Sequence, residues 1–229
     1  MAENKLKVSI LILSLNEIEG MRVVLPRLKK EWLYERVVID GGSTDGSIEY
    51  ARSLDFTVVS QKGKGILAGL KEGFDATTGD AVILYTPDNN MIPEKIPEMI
   101  AKMEEGYETV CCSRYLDDAE SEDDHIVSAF GNWMFTALLN FLFRTKFTDV
   151  LGGYRIFKRS LIEELDIEFS LAFPIPLNTR CTRRKLKIAE ISGSEPMRIG
   201  GQSSRSIIIN GVICLHRIIS DFLFYRATP

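Results

Sequence analysis

The chain has 229 residues, 45% of them hydrophobic and 26% charged, with a formal net charge of -4. Length and composition fit an ordinary folded domain with one sizeable core, and the acidic balance excludes an electrostatic footprint for nucleic acid. Cys111, Cys112, Cys181 and Cys214 have neither metal-ligand spacing nor a disulfide framework, which points to a reducing compartment.

Residues 1–7 carry lysines but lead straight into a strand pattern, without the small-residue cleavage site of a signal peptide. The apolar run 8–13 reads as a buried strand and the charged, periodic stretch 17–30 as the helix after it. Residues 36–40 give a second strand, the turn Gly41-Gly42-Ser43-Thr44-Asp45-Gly46 leads into a helix to about residue 54, and 57–59 form a third strand. Lys62-Gly63-Lys64-Gly65 opens a helix to about residue 77, and the run 81–85 forms the next strand, followed by Thr86-Pro87-Asp88-Asn89-Asn90. Strands and helices alternating at this pace indicate parallel βαβ units in a three-layer α/β/α domain with a mostly parallel, Rossmann-like sheet.

A helix is expected over 94–105 and a strand over 109–113, and the acidic stretch 117–124 reads as a solvated loop. Residues 130–143 are apolar on most faces, so this helix must be buried or meet lipid. The segment 207–225 raises the same question, its apolar residues being broken by Asn210, His216, Arg217 and Asp221. No run of about 18 uncharged apolar residues is expected, hence no clear bilayer-spanning helix. The basic cluster Arg180, Arg183, Arg184, Lys185 and Lys187 suits anionic lipid or a solvated helix face equally. His125 and His216 lack metal-ligand partners at useful spacing.

Asp88 is the most informative single residue, because open α/β sheets bind ligands at the carboxyl ends of their strands. One carboxylate there suits Mg²⁺ or Mn²⁺ holding a diphosphate, although Asp after a strand also serves as a turn former or helix N-cap. Ser14-Leu15-Asn16-Glu17, the stretch from Asp40 to Gly46, Lys62-Gly63-Lys64-Gly65, Thr86-Pro87-Asp88 and Ser113-Arg114-Tyr115 follow one another, each at an expected strand end. This ordered set resembles family 2 glycosyltransferases, closest to the dolichyl- or polyprenyl-phosphate sugar synthase branch, over roughly residues 8–205.

The resemblance implies a GT-A fold spanning 1–205, with a nucleotide-sugar half over 1–112, an acceptor half over 113–205 and a C-terminal amphipathic helix over 206–229. It implies that Ser14, Asn16, Glu17, Asp40, Gly42, Ser43, Lys64, Gly65 and Pro87 surround the donor, with Glu17 and Asp40 holding the nucleoside. Capping of the following helices is the alternative for those two acids, and Ser43 and Asp45 read mainly as turn builders. Asp88, Arg114 and Arg198 would be catalytic, with Asp88 on the metal, and Arg155 and Ser203 would contact ligand. The family usually carries Asp-x-Asp where this chain has Thr86-Pro87-Asp88, so the first carboxylate is missing.

The stretch Phe173 to Arg180 holds no acid where relatives acting on hydroxyls place a general base. A hydroxyl needs that base, whereas a phosphate monoester is already ionised. This favours a lipid phosphate acceptor, unless a base such as Asp149 has been misaligned; Asp149 can alternatively orient one of the arginines. The expectation is an inverting hexosyltransferase using a GDP-mannose or UDP-glucose type of donor, working peripherally at the cytoplasmic membrane face. The alternatives are a transferase acting on a sugar hydroxyl, and a non-catalytic sugar-nucleotide-binding protein. The apolar helices would serve a homodimer as well as a membrane.

Overall fold

The computed structural model describes residues 6–200 and 207–226. Its strands are β1 (Val8–Ser14), β2 (Glu35–Asp40), β3 (Thr57–Ser60), β4 (Ala81–Tyr85), β5 (Thr109–Ser113), β6 (Arg155–Lys158) and β7 (Ile188–Ser192). Among the described residues they form one sheet in the order β3-β2-β1-β4-β6-β5-β7. Strands β1 to β4 are parallel, and β6 runs antiparallel between β4 and β5. The helices are α1 (Ile18–Val24), α2 (Ser47–Ser53), α3 (Ile66–Ala76), α4 (Ile96–Glu104), α5 (Ile126–Phe143), α6 (Leu161–Glu164), α7 (Pro174–Arg183) and α8 (Ile207–Leu223).

Alternation along each strand assigns the two faces. Val8, Ile10 and Ile12 of β1 pack with Ile83 and Tyr85 of β4 under Met21, Val24, Ala51 and Met99 from α1, α2 and α4. Leu11, Val37, Ile39, Val82 and Phe157 face the other way, under Leu70 and Phe74 of α3 and Leu177 of α7. Each fully buried Leu or Ile contributes about 2 kcal/mol. The sheet is thereby held rigid, and its parallel strands aim their carboxyl ends at one edge.

Several expectations change. Helix α1 stops at Val24 instead of reaching residue 30, because Pro26 has no N–H to extend it and Leu25–Arg27 tighten into a 3-10 turn. Strands β6 and β7 were not foreseen: they are short, and pairing with their neighbours makes them strands. Helix α5 begins at Ile126, four residues earlier than expected, and its 18 residues carry no charge. That one helix is long and apolar enough to cross a membrane, contrary to the sequence expectation. Arg180 does not belong to a lipid-facing cluster. It lies buried under α8, 3.1 Å from Asp221, and donates to the carbonyls of Leu165 and Asp166.

A third apolar cluster joins α5, α7 and α8 through Phe135, Leu139, Ile175, Cys214 and Ile218. The outer surfaces of α5 and α8 are left exposed at Ile126, Val127, Phe130, Trp133, Phe141, Ile208, Ile209 and Val212. Asp221 ties this unit together, accepting from Thr179 Oγ1 at 2.5 Å as well as from Arg180. Removing one partner of a buried ion pair strands the other charge. Asp221→Ala is therefore expected to lower unfolding free energy by about 3 kcal/mol, read by urea denaturation followed by circular dichroism.

Candidate functional site

The carboxyl ends of β1, β2, β4 and β5 lie along one edge of the sheet, and the loops that follow them carry most of the expected site residues. After β1, Asn16 takes a left-handed conformation with φ 55° and cross-links to the loop after β2. Its N–H donates to Ser43 Oγ, and its side-chain oxygen accepts from Thr44 N at 2.9 Å. Asp40 is 2% exposed and builds its own turn, accepting from the N–H groups of Gly42 and Ser43 at 2.8 Å and from Ser43 Oγ at 2.5 Å. Gly42 sits at φ 102°, where a side chain would be strained. Asp45 likewise accepts from Ile18 N and Ser47 N, starting α1 and α2.

Two polar atoms here have no partner. Ser14 Oγ and Glu17 Oε2 are both buried and make no hydrogen bond, although buried polar groups are nearly always satisfied. Burial pushes the Glu17 carboxyl above its ordinary range, and the negative charges of Asp88 and Asp45 add to the rise while Arg198 opposes it. Glu17 therefore lies within the field of Asp88. Gly20, one turn further along α1, explains the closeness: a Cβ there would lie 2.1 Å from the Pro87 carbonyl oxygen.

Asp88 follows β4 and is 2% exposed. Its Oδ1 accepts from Thr86 Oγ1 at 2.9 Å and Asn90 N at 3.3 Å, while Oδ2 lies 2.7 Å from an Arg198 guanidinium nitrogen. Tyr85 and Tyr154 donate their hydroxyls to the carbonyls of Met91 and Ile92, fixing the loop beyond Asp88. Lys64 stands exposed in the glycine turn before α3, beside Gly65 at φ 83°. That turn is closed by Glu72, which accepts from Lys62 N and Gly63 N.

Arg114 follows β5 and is gripped by Asp149 at 2.7 and 3.0 Å, with Glu195 at 3.5 Å from its remaining nitrogen. Asp149 is held in turn, its N–H donating to Glu190 Oε1 of β7. A carboxylate with no exposed side-chain surface and a two-point arginine contact is not a free base. Arg114, Arg198, Asp88, Thr86, Glu195 and Tyr154 line a cleft of about 210 Å³. A larger cavity of about 1180 Å³ lies at the opposite end of the sheet, beside Asp80 and Lys158, and contains none of the expected site residues.

Arg155 departs from expectation. It is 1% exposed and donates to Gly152 O, Pro174 O and Asn178 Oδ1, bracing β6 against α7 instead of facing ligand. The acidic stretch 117–124 is also more than a solvated loop. Asp123 lies 3.8 Å from Arg198 and accepts from Asn90, and Asp124 accepts from the Tyr115 hydroxyl. Ser203 lies outside the described residues. Glu195 was missed as a site residue, since nothing local in sequence ties 194–199 to the Asp88 turn.

Among the described residues no group of three or more His, Cys, Asp or Glu gathers to hold a metal. The described residues thus form no closed protein cage. Asp88 with the orphaned Glu17 oxygen nearby fits a magnesium-type ion, which takes one or two carboxylates and completes its shell with phosphate and water.

The sequence profile of glycosyl transferase family 2 matches residues 9–166. Glycosyltransferase AglJ of Haloferax volcanii is 27% identical over 182 residues, covering 79% of this chain and 60% of the relative. The undecaprenyl-phosphate 4-deoxy-4-formamido-L-arabinose transferase of Proteus mirabilis is 29% identical over 208 residues, covering 82% and 60%. The chain thus spans about 60% of the length of these curated relatives. Among solved structures, glucosyl-3-phosphoglycerate synthase of Mycobacterium tuberculosis with Mn²⁺, UDP and phosphoglyceric acid superimposes with a TM-score of 0.73 at 20% identity, covering 95% of this chain and 79% of that one. The same enzyme with Mg²⁺ and UDP gives 0.72. At this identity the likeness speaks for the α/β fold alone.

The raised Glu17 carboxyl has a consequence for stability. A folded-state pKa above the unfolded one means that ionisation disfavours the folded chain, so stability falls as pH rises from the ordinary value of 4.5 through the folded one. Glu17→Gln is therefore expected to raise the melting temperature at pH 7, and the gain should vanish below about pH 4. Thermal unfolding across that pH range checks it.

Proposed function

Because the chain belongs to glycosyl transferase family 2, we propose that it moves a hexose, with inversion, from a nucleoside diphosphate sugar to a polyprenyl or dolichyl phosphate. The observation that carries the acceptor is the pairing of Asp149 with Arg114: the acid best placed to have been a hydroxyl base is already spent, while two arginines line the cleft. The relatives' names agree with a lipid phosphate, since one is an undecaprenyl-phosphate sugar transferase.

In this reading Ser14 Oγ and Glu17 Oε2 accept or donate to hydroxyls of the nucleoside, which satisfies both orphans. Asp40 and Asn16 act by holding the turn that presents Gly42 and Ser43 to it. Gly65 lets backbone approach the donor, Lys64 adds a cation, and Pro87 shapes the floor beside Asp88. Mg²⁺ or Mn²⁺, held by Asp88, would neutralise charge on the diphosphate. The acceptor phosphate oxygen attacks the anomeric carbon from the face opposite the diphosphate, and the bond from that carbon to the leaving oxygen breaks. Arg114 and Arg198 take up the charge that develops on the departing diphosphate. No proton has to be removed from the nucleophile.

The exposed apolar faces of α5 and α8 support docking at the cytoplasmic membrane surface. Trp133 is 64% exposed and Ile208 79%, large side chains that gain by entering the interface. A homodimer through the same face would compete with this. The division at residues 112 and 205 is kept as donor half, acceptor half and surface helix, although β6 and β7 share one sheet with the donor strands.

A second reading has one specific observation in its favour. Glu195 lines the cleft with 20% of its side chain exposed, and as a base it would suit a sugar hydroxyl acceptor. A transfer assay separates the two, offering short polyprenyl phosphates against free sugars, with each of the UDP- and GDP-sugars that raises the melting temperature in the presence of Mn²⁺. Transfer to the phosphate is expected, and turnover on sugars alone would overturn the proposal. Asp88→Ala should lower kcat by about 100-fold or more and remove the Mn²⁺ dependence of donor binding; donor binding that is unchanged, with no transfer by the wild type, would indicate a binding protein. In flotation with anionic lipid vesicles, Trp133→Ser should weaken binding by about tenfold.

A further inference from the structure

The turn carrying Asp88 is tied down by the segment 196–199. Ile199 N donates to Asp88 O at 2.9 Å, Asn89 Nδ2 to Met197 O at 3.0 Å and Asn90 Nδ2 to Pro196 O at 2.9 Å. Three consecutive residues of one turn thus bind one short segment. That segment is also held from its outer side, where Met197 N donates to Glu122 Oε2 at 3.2 Å. The side chain it delivers to the carboxylate is Arg198, 2.7 Å from Asp88 Oδ2.

This ion pair is not an ordinary surface contact. The Asp88 side chain is 4% exposed, and a carboxylate so buried needs a positive partner. The oxygen that Arg198 takes is an oxygen that a divalent cation would need, because Oδ1 is already turned toward Thr86 and Asn90. Arg198 keeps a second anion within reach, Asp123 at 3.8 Å. Glu17 also feels its charge.

Resting on the reading of Asp88 as the metal carboxylate, we propose that Arg198 is the resident counter-ion of the metal position, and that Asn89 is the positioning residue that keeps it there. A cation arriving alone must displace the guanidinium from Asp88. A nucleoside diphosphate offers that guanidinium another anion, so metal and nucleotide bind cooperatively, each raising the affinity of the other by the same factor. Asn89 suits a clean test. It sits at φ 73°, where glycine is at ease, so Asn89→Gly keeps the backbone and deletes only the amide that grips Met197.

Binding of Mn²⁺ is measured by electron paramagnetic resonance, first without nucleotide and then with UDP or GDP. Arg198→Gln is expected to bind Mn²⁺ alone about tenfold more tightly than the wild type. The further gain from adding nucleotide should shrink in that variant. Asn89→Gly should tighten Mn²⁺ binding by a smaller factor, and the double variant should go no further than Arg198→Gln, because both changes act through one contact. Arg198→Lys keeps the charge and should stay within about twofold of the wild type, and adding Asp88→Ala should abolish the gain. Equal binding of Mn²⁺ alone by Arg198→Gln and the wild type would overturn the counter-ion. A tightened Arg198→Gln beside an unchanged Asn89→Gly would overturn the positioning role. If the wild type takes up no Mn²⁺ even with nucleotide, the metal reading fails first and the inference falls with it.

Discussion

One carboxylate buried at the end of a central strand constrains everything around it. Asp88 is carried into the cleft by β4, whose five residues are all buried, and the strand cannot shift without disturbing both faces of the core. Once there, its charge must be matched, and the chain matches it with Arg198 from more than a hundred residues later. Helix α1 comes against the same turn so closely that position 20 has to be glycine. The cost of burying a charge thus dictates local backbone, long-range pairing and the shape of the cleft.

Four arginines, two buried and two half-buried, divide by the company they keep. Arg155 and Arg180 are surrounded by carbonyls and amides or by a structural aspartate, and they join β6 to α7 and α7 to α8. Arg114 and Arg198 are each held closely by one carboxylate, with a second further off, and both line the cleft. An arginine oriented by a fixed acid keeps donors available in a set direction, which an unrestrained side chain would not. Asp149, itself fixed by Glu190 of β7, does for Arg114 what Asp88 does for Arg198.

Much of the frame was legible along the chain because its information is local. Strands β1, β2, β4 and β5 are apolar runs stopped by glycine, proline or polar turns, and the residues at their carboxyl ends fall where parallel topology requires. What could not be read depends on distant partners. Arg155-Ile156-Phe157-Lys158 becomes a strand only by filling the gap between β4 and β5, and its arginine is buried only because α7 offers acceptors above it. Glu195 and Asp123 look like loop acids until residues 120–122 and 194–197 fold onto each other, Glu122 N donating to Glu195 O at 2.8 Å. The end of α1 was legible and was overlooked: Pro26 states it.

The substitution at the first position of the acidic pair gains a physical meaning from this geometry. Thr86 replaces a carboxylate with a hydroxyl that donates to Asp88 Oδ1, orienting the remaining acid without adding charge. With two carboxylates, one arginine would leave an excess negative charge able to hold a cation by itself. With one, the guanidinium of Arg198 brings the pair to neutrality, and a divalent ion arriving alone would meet a carboxylate whose charge is already matched. A diphosphate changes that balance by bringing several negative charges at once, enough for both the arginine and the ion. In the proposed reading, loss of the first carboxylate shifts the source of metal affinity from the protein to the donor, and makes the donor the signal that loads the site.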